Sequence, residues 1–238
     1  MNKFTPIISL ACLLLAACGS DNNTTSVAPP APAPEPAPEP TQYEFKVTAI
    51  NLTHGQPLSP LGAALHTSGQ FWTIGEMASA ELESLAEGGD NSGLLGLSVV
   101  NSSVSGAAPL GPGKTTELML TTTSLTDQKL SLVTMMVNTN DGFTGLNSID
   151  VSQMAVGDYA KMTTRAYDSG TEANSEQSGS MPGPADGGEG FNAERDDIDK
   201  VAMHPGVVGN DDGLSSSVLT SAHKFDNPLM AVTITRVK

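Results

Sequence analysis

The sequence predicts an all-β domain of short antiparallel strands, arranged as a sandwich or a barrel, with one short helix. Aromatic residues make up only 4% of the chain while Gly, Ser and Thr are abundant, which favours a turn-rich β domain over a helical bundle. Short segments with strand character follow one another between turn signals. Strands do not alternate with helices along the chain, so nucleotide-binding α/β folds are not expected.

The first 18 residues resemble the signal peptide of a bacterial lipoprotein. Lys3 supplies a positive charge, residues 7–15 form an apolar stretch too short to span a bilayer, and Leu15-Ala16-Ala17-Cys18 matches the lipobox. Cleavage before Cys18 leaves its thiol to carry a lipid that anchors the chain to the membrane. Gly19 stands where an Asp would retain the protein at the inner membrane. We therefore expect an outer-membrane lipoprotein of a Gram-negative bacterium, facing the periplasm or the exterior.

Residues 19–42 predict a disordered linker. Seven of the twelve residues from 29 to 40 are proline, which favours an extended polyproline II conformation. This stretch is interpreted as a spacer that holds the domain away from its anchor. A proline-rich ligand for an SH3-like partner is the alternative.

The folded domain is predicted to cover residues 43–238. Residues 43–49 alternate apolar and polar side chains with a period of two. Ser79 has the character of a helix N-cap, and Gly88-Gly89 ends the short helix that follows. Gly111-Pro112-Gly113 predicts a turn. Further strands are predicted over residues 71–74, 94–100, 115–123, 130–137, 146–151, 159–165 and 230–237.

Residues 173–198 interrupt the strand pattern with Gly, Ser, Pro and acidic residues, which predicts a mobile loop or lid. Asp196, Asp197 and Asp199 suggest a calcium loop. However, the sequence lacks the Gly and the final Glu of an EF-hand, so a solvated acidic run is the favoured interpretation.

Charge and cysteine content exclude several classes of protein. The net charge is −15, from 26 acidic and 11 basic residues, which argues against binding nucleic acid. Cys12 leaves with the signal peptide and Cys18 is consumed by lipid, so no disulfide is expected. No catalytic motif appears, and we expect a monomeric, non-enzymatic protein.

Three carboxylates follow predicted strands: Asp141 in one segment, and Asp168 and Glu172 in another. Loops of a sandwich gather at its poles, so the three side chains can meet there. Carboxylates in close contact repel one another unless a cation lies between them, and Ca²⁺ suits oxygen ligands on flexible loops. The alternative is that these residues are turn carboxylates that cap backbone amides.

Several segments in order resemble the spondin N-terminal domain family, in its bacterial lipoprotein form. The similarity covers nearly all of residues 43–238, and animal relatives are the N-terminal domains of F-spondin and mindin, which are matrix and adhesion proteins. The matching segments are Phe45-Lys46-Val47-Thr48-Ala49-Ile50-Asn51-Leu52-Thr53, Gln56-Pro57-Leu58-Ser59-Pro60, Gly75-Glu76-Met77-Ala78-Ser79, Asn138-Thr139-Asn140-Asp141-Gly142-Phe143-Thr144-Gly145-Leu146, Tyr167-Asp168-Ser169-Gly170-Thr171-Glu172-Ala173-Asn174, His204-Pro205-Gly206-Val207 and Val232-Thr233-Ile234-Thr235-Arg236-Val237.

This resemblance implies a C2-like antiparallel β-sandwich that binds a divalent ion, assigned as calcium, through Asp141, Asp168 and Glu172. Glu172 stands where animal members have Asp, and its longer side chain is expected to weaken or reshape the site. Asn174 and Glu176 are further candidates for outer ligands. The expected role is binding or adhesion to an unidentified envelope or extracellular ligand, either a protein or a polysaccharide. A purely structural envelope protein is the alternative, and a metal-dependent hydrolase is less favoured.

His204 is the histidine that bears on this site. It precedes Pro205-Gly206 and is interpreted as a turn residue. Its alternative role is to line a pocket near the acidic pole.

Overall fold

The computed structural model describes residues 39–238, which include the whole predicted β domain. The predicted signal peptide, Cys18 and most of the predicted linker lie outside the described residues. The strands are β1 Tyr43–Asn51, β2 Gly62–His66, β3 Val100–Ser105, β4 Thr115–Thr122, β5 Lys129–Met135, β6 Gly142–Asp150, β7 Tyr159–Thr163, β8 Arg165–Asp168, β9 Ala202–Met203 and β10 Met230–Arg236; the helices are α1 Ala80–Gly88 and α2 Ser92–Leu95. Neither α1 nor α2 has the length and apolar character needed to cross a membrane.

The strands form two antiparallel sheets, which confirms the all-β prediction. One sheet has four strands in the order β4-β1-β10-β7, and the other has six in the order β3-β2-β5-β6-β8-β9. Every pairing between neighbouring strands is antiparallel. The first and last strands of the domain lie side by side, with Phe45 opposite Arg236 and Asn51 opposite Met230.

The main core lies between the two sheets. The alternation along β1 turns Phe45, Val47 and Ala49 inward, and all three are fully buried. They belong to one apolar cluster with Leu130 and Leu132 of the six-stranded sheet. Burial of this cluster supplies the main driving force that holds the sheets together.

Helix α1 covers the opposite face of the six-stranded sheet. The Ser79 hydroxyl accepts a hydrogen bond from the backbone N–H of Leu82 at 3.2 Å, and Gly89 ends the helix in the left-handed conformation, as predicted. Leu82 and Leu85 are fully buried in a second cluster that includes Phe143 of β6. The six-stranded sheet is therefore buried on both faces where the helix crosses it.

This double burial explains why β2 was not predicted. All five residues of β2 are buried, so its sequence, Gly-Ala-Ala-Leu-His, lacks the apolar and polar alternation of a half-exposed strand. Ala63 belongs to the cluster between the sheets, whereas Ala64 belongs to the cluster under the helix.

Two predicted strands were wrong. Residues 71–74 form a bend and turn, in which Phe71 and Trp72 are buried in the cluster beneath α1. Residues 94–100 contain the end of α2, and the strand begins only at Val100. In both segments the apolar residues pack against the helical layer, a tertiary context that short apolar runs do not reveal.

The predicted strand at 159–165 is two strands in different sheets. The chain leaves the four-stranded sheet after Thr163 and enters the six-stranded sheet at Arg165. Between them, Thr164 is buried and its hydroxyl lies 2.7 Å from that of Thr144. The predicted strand at 146–151 begins earlier, at Gly142, which brings the start of β6 next to Asp141.

Residues 173–198 contain no helix or strand, in keeping with the predicted loop. Met181 is fully buried, Gln177 forms a bridge with Ser217, and Arg195 forms an ion pair with Glu83 of α1. The segment is thus attached to the domain at several points, and its role as a lid stays a prediction.

Candidate metal centre

The turn before β6 and the loop after β8 lie side by side at one end of the six-stranded sheet. Gly142 is opposite Asp168 in the β6–β8 pair. Asp141 therefore comes directly before the paired segment, Asp168 ends it, and Glu172 follows in the loop. The backbone N–H of Ser169 donates to the carbonyl of Asp141 at 3.3 Å. The fold thus brings the three predicted ligands into two adjacent segments.

Asp141 is completely buried, and its two carboxylate oxygens have different surroundings. Oδ2 accepts hydrogen bonds from Ser169 Oγ at 2.8 Å and from the backbone N–H groups of Thr171 at 2.9 Å and Glu172 at 3.3 Å. Oδ1 is buried and has no hydrogen-bond partner in the described residues. Leaving a buried carboxylate oxygen without a partner is unfavourable, so Oδ1 is a candidate contact for a bound ion or an ordered water.

Asp168 and Glu172 are each held by an asparagine. Asp168 accepts from the backbone N–H of Gly170 at 2.8 Å and from Asn174 Nδ2 at 2.6 Å. Glu172 Oε1 accepts from Asn140 Nδ2 at 2.8 Å. Each of these carboxylates is therefore oriented by uncharged hydrogen-bond donors, which do not neutralise it as a cation would.

The site has a strong excess of negative charge. Burial, and next the neighbouring Asp168 carboxylate, raise the pKa of Asp141 to about 7. Burial is also the main cause that raises the pKa of Glu172 to about 7, with the carboxylates of Glu87, Asp141 and Asp196 adding to it. Among residues 39–238, no basic side chain forms an ion pair with any of the three predicted ligands.

The chemistry of these donors fits a hard divalent cation. Calcium takes carboxylate and other oxygen ligands, and a cation favours the ionised form of carboxylates that burial and like charges disfavour. The described part of the chain does not contain three or more His, Cys, Asp or Glu side chains already arranged around one point. A bound ion would therefore be coordinated by Asp141 Oδ1, and surrounding oxygen atoms would supply its remaining ligands.

The metal-free site predicts a pH dependence of stability. Asp141 and Glu172 have native pKa values near 7, above their ordinary values of 3.8 and 4.5. Their contribution to the free energy of unfolding is therefore complete below about pH 4 and is lost as the pH rises to 7. Burial lowers the pKa of His204. This group therefore has the opposite effect: it reduces the free energy of unfolding as the pH falls below about 6.5.

Urea unfolding in EDTA can be compared between the wild type and Asp141→Asn. The comparison isolates the contribution of the Asp141 carboxyl group to the pH dependence of stability. The wild type is expected to lose stability relative to the variant as the pH rises from 5 to 8. A difference between the two proteins that does not change over this range would contradict the raised pKa of Asp141.

Other sequence candidates have different partners. The Glu176 carboxylate is engaged by the 208–217 segment: it accepts from the backbone N–H groups of Val208 and Gly209 and from Ser217 Oγ. Asp196 accepts from a backbone N–H of the loop at 2.8 Å, and Asp199 forms an ion pair with Arg195. These contacts organise the loops around the centre.

His204 lies beside the site and is buried. A Cβ added to Gly142 would lie 3.0 Å from His204 Cδ2, which shows how closely the ring approaches the start of β6. Nδ1 accepts from the backbone N–H of Gly206 at 3.0 Å, so the neutral ring carries its hydrogen on Nε2. Nε2 is buried without a partner in the described residues. His204 is thus both a turn residue and a donor directed into the interior.

Sequence reasoning missed Glu87, Ser169 and Thr171. Thr171 Oγ1 lies 2.7 Å from Glu87 Oε1, across 84 positions of the chain. Glu87 is fully buried although it lies on a short helix where an acidic residue suggests an exposed face. For Ser169 and Thr171, the segment Asp-Ser-Gly-Thr-Glu was the available signal, because both hydroxyl residues lie between the predicted ligands Asp168 and Glu172.

A polar cavity of about 380 Å³ adjoins the centre at Glu172. Its lining is hydroxyl, amide and carboxylate groups, with no basic and no aromatic side chain. The main contributors are Glu172, Ser175, Gln177, Asn192, Glu194 and Asp196.

Comparisons with known proteins do not assign the chain to a family. No protein-family model matches the sequence, and no curated protein sequence matches it significantly. The interpretation of function therefore depends on the sequence segments and on the site described above.

Proposed function

We propose that the protein is a lipid-anchored cell-envelope protein of the spondin type, whose calcium-stabilised β-sandwich binds a ligand. The resemblance of the ordered sequence segments and the lipobox at Cys18 support the class and the anchor. The observation that carries the calcium proposal is the buried, unpartnered Oδ1 of Asp141 among carboxylates that have no cationic partner.

Asp141 would hold the ion through Oδ1, and Asp168 and Glu172 would contribute the other carboxylates. When bound, calcium supplies the positive charge that this pole of the domain lacks. Asp141 is fully buried and Asp168 is 4% exposed. This burial favours a stabilising role, in which the ion holds the turn before β6 against the loop after β8.

The ligand is proposed to occupy the polar cavity beside Glu172. Hydroxyl, amide and carboxylate groups hydrogen-bond well to the hydroxyl groups of a neutral polysaccharide. The net charge of −15 disfavours anionic polymers. A polysaccharide of the envelope is therefore favoured over a nucleic acid or an acidic protein.

Co-sedimentation with insoluble cell-wall polysaccharide tests the binding role. We expect the protein to sediment with the polymer in calcium, and sedimentation to decrease for Glu194→Gln and Asp196→Asn, which alter the cavity. Asp150→Asn is the matched control, since Asp150 is acidic but lies outside that cavity. Equal sedimentation of all variants would contradict a ligand site in this cavity.

The anchor is tested by metabolic labelling with radioactive palmitate. The wild type is expected to incorporate label and to fractionate with the outer membrane, because lipid on Cys18 is the proposed attachment. Cys18→Ser should lose the label completely and appear in the soluble fraction. Label retained by Cys18→Ser would contradict lipidation at this residue.

A further inference from the structure

Four buried oxygen atoms form a continuous chain from helix α1 to the metal centre. Glu87 Oε1 lies 2.7 Å from Thr171 Oγ1, Thr171 Oγ1 lies 2.6 Å from Ser169 Oγ, and Ser169 Oγ lies 2.8 Å from Asp141 Oδ2. All four residues are fully buried. The chain therefore links two carboxyl groups through two hydroxyl groups, at distances that require a hydrogen bond in each gap.

The number of protons in this chain identifies the charge state of its ends. Three gaps need three protons, but the hydroxyl groups of Ser169 and Thr171 supply only two. If both terminal carboxyl groups were ionised, one pair of oxygen atoms would approach to about 2.8 Å or less with no proton between them. The third proton must therefore belong to Glu87 or Asp141.

The hydrogen bonds at the two ends favour Glu87. Asp141 Oδ2 already accepts from the backbone N–H groups of Thr171 and Glu172, so it acts as an acceptor and not as a hydroxyl donor. Glu87 Oε2 accepts from the backbone N–H of Asn192 at 2.9 Å, while Oε1 faces only Thr171. One accepting oxygen and one oxygen free to donate are what a neutral carboxylic acid presents.

The surroundings of Glu87 also disfavour its charged form. Burial raises the pKa of Glu87 and outweighs the lowering by the hydrogen bonds with Thr171 and with the backbone N–H of Asn192. The nearby Glu83 carboxylate adds to the rise, and Arg195 opposes it least. Glu87 lies in the last turn of α1, which contains no basic residue and where the helix dipole is unfavourable to an anion. The carboxylates of Glu87 and Glu172 also repel each other.

We infer that Glu87 is a neutral carboxylic acid that donates its proton to Thr171 and, through Ser169, holds the Asp141 carboxylate in place. It is a positioning residue, because it acts on Asp141 only through the two hydroxyl groups. With Oδ2 fixed by this chain, Oδ1 of Asp141 is presented to the ion. This last step rests on the proposed calcium site, whereas the protonation of Glu87 does not.

Infrared difference spectroscopy tests the protonation. At pH 8, above the pKa values of about 7 of Asp141 and Glu172, the wild type is expected to show the carbonyl band of a buried protonated carboxylic acid. Glu87→Gln should remove this band. The matched control is Glu83→Gln, one turn earlier in α1, which should keep it because Glu83 is paired with Arg195.

Two results would overturn the inference. One is a wild-type spectrum without the band, which needs no variant to fold. The other is a band that persists in Glu87→Gln and disappears in Asp141→Asn, which would place the proton at the opposite end of the chain.

Calcium affinity tests the positioning role separately. Glu87→Gln keeps a donor toward Thr171 and an acceptor toward Asn192, so its calcium affinity should stay within about threefold of the wild type. Glu87→Leu removes both and should weaken calcium binding by about 10- to 100-fold, as for other residues that orient a metal ligand. Equal affinity of Glu87→Leu and the wild type would overturn the positioning role. If the wild type itself binds no calcium, the proposed function fails while the infrared result for Glu87 still stands.

Discussion

Replacement of Gly170 by alanine is expected to reduce the free energy of unfolding by about 3 kcal/mol or more. Gly170 lies between two predicted ligands and has φ of +70°, a conformation that disfavours any residue with a Cβ. A Cβ there would lie 2.3 Å from the carbonyl oxygen and 2.7 Å from the nitrogen of Lys200. Both neighbours are backbone atoms, so the loop after β8 must move to relieve the overlap.

Gly179→Ala is the matched control for this prediction. Gly179 also has a positive φ, of +91°, but an added Cβ would meet no atom within 4 Å. Only the cost of placing a residue with a Cβ at a positive φ remains, so the free energy of unfolding is expected to fall by about 1 to 2 kcal/mol. Urea unfolding of both variants measures the difference. Equal losses would show that the contact between Gly170 and Lys200 does not constrain the loop.

The second large effect is on Asp141→Asn: the difference in stability between this variant and the wild type should change sign when calcium is added. Without calcium at pH 8, we expect this variant to be at least as stable as the wild type, because the substitution removes a buried charge crowded by Asp168. With calcium at 100 times its dissociation constant, the wild type gains about 2.7 kcal/mol and the variant gains nothing. The order of stability of the two proteins should therefore depend on the metal.

Thermal unfolding of both proteins in calcium and in EDTA measures this reversal. Asp186→Asn is a suitable control, since Asp186 binds backbone N–H groups of its own loop and lies outside the metal centre. A variant that is less stable than the wild type by the same amount in both conditions would indicate a purely structural hydrogen-bonding role for Asp141.

Local patterns predicted the strands that have one exposed face. β1 is the clearest example, since its inward residues alternate with outward ones. The pattern disappears where a strand is covered on both sides, as in β2, and apolar runs such as residues 71–74 were assigned to strands although they pack beneath α1. The second, helical layer over the six-stranded sheet could not be derived from periodicity, because it depends on contacts between distant segments.

The candidate site could be predicted only where its residues are close to paired strands in the sequence. Asp141 and Asp168 follow predicted strands in the chain, and antiparallel pairing of β6 with β8 brings them to one end of the sheet. Glu87 lies far away in the sequence, and nothing in an amphipathic helix distinguishes a buried acid from an exposed one. Its role becomes visible only through the hydroxyl groups that connect it to Asp141.

Equilibrium dialysis against calcium tests the proposed metal site most directly, because it counts the bound ions. We predict one calcium ion per chain for the wild type and none for Asp141→Asn at the same free calcium concentration, with Asp186→Asn binding as the wild type does. Absence of bound calcium in the wild type, or equal binding by Asp141→Asn, would contradict a calcium site built on the buried Oδ1 of Asp141.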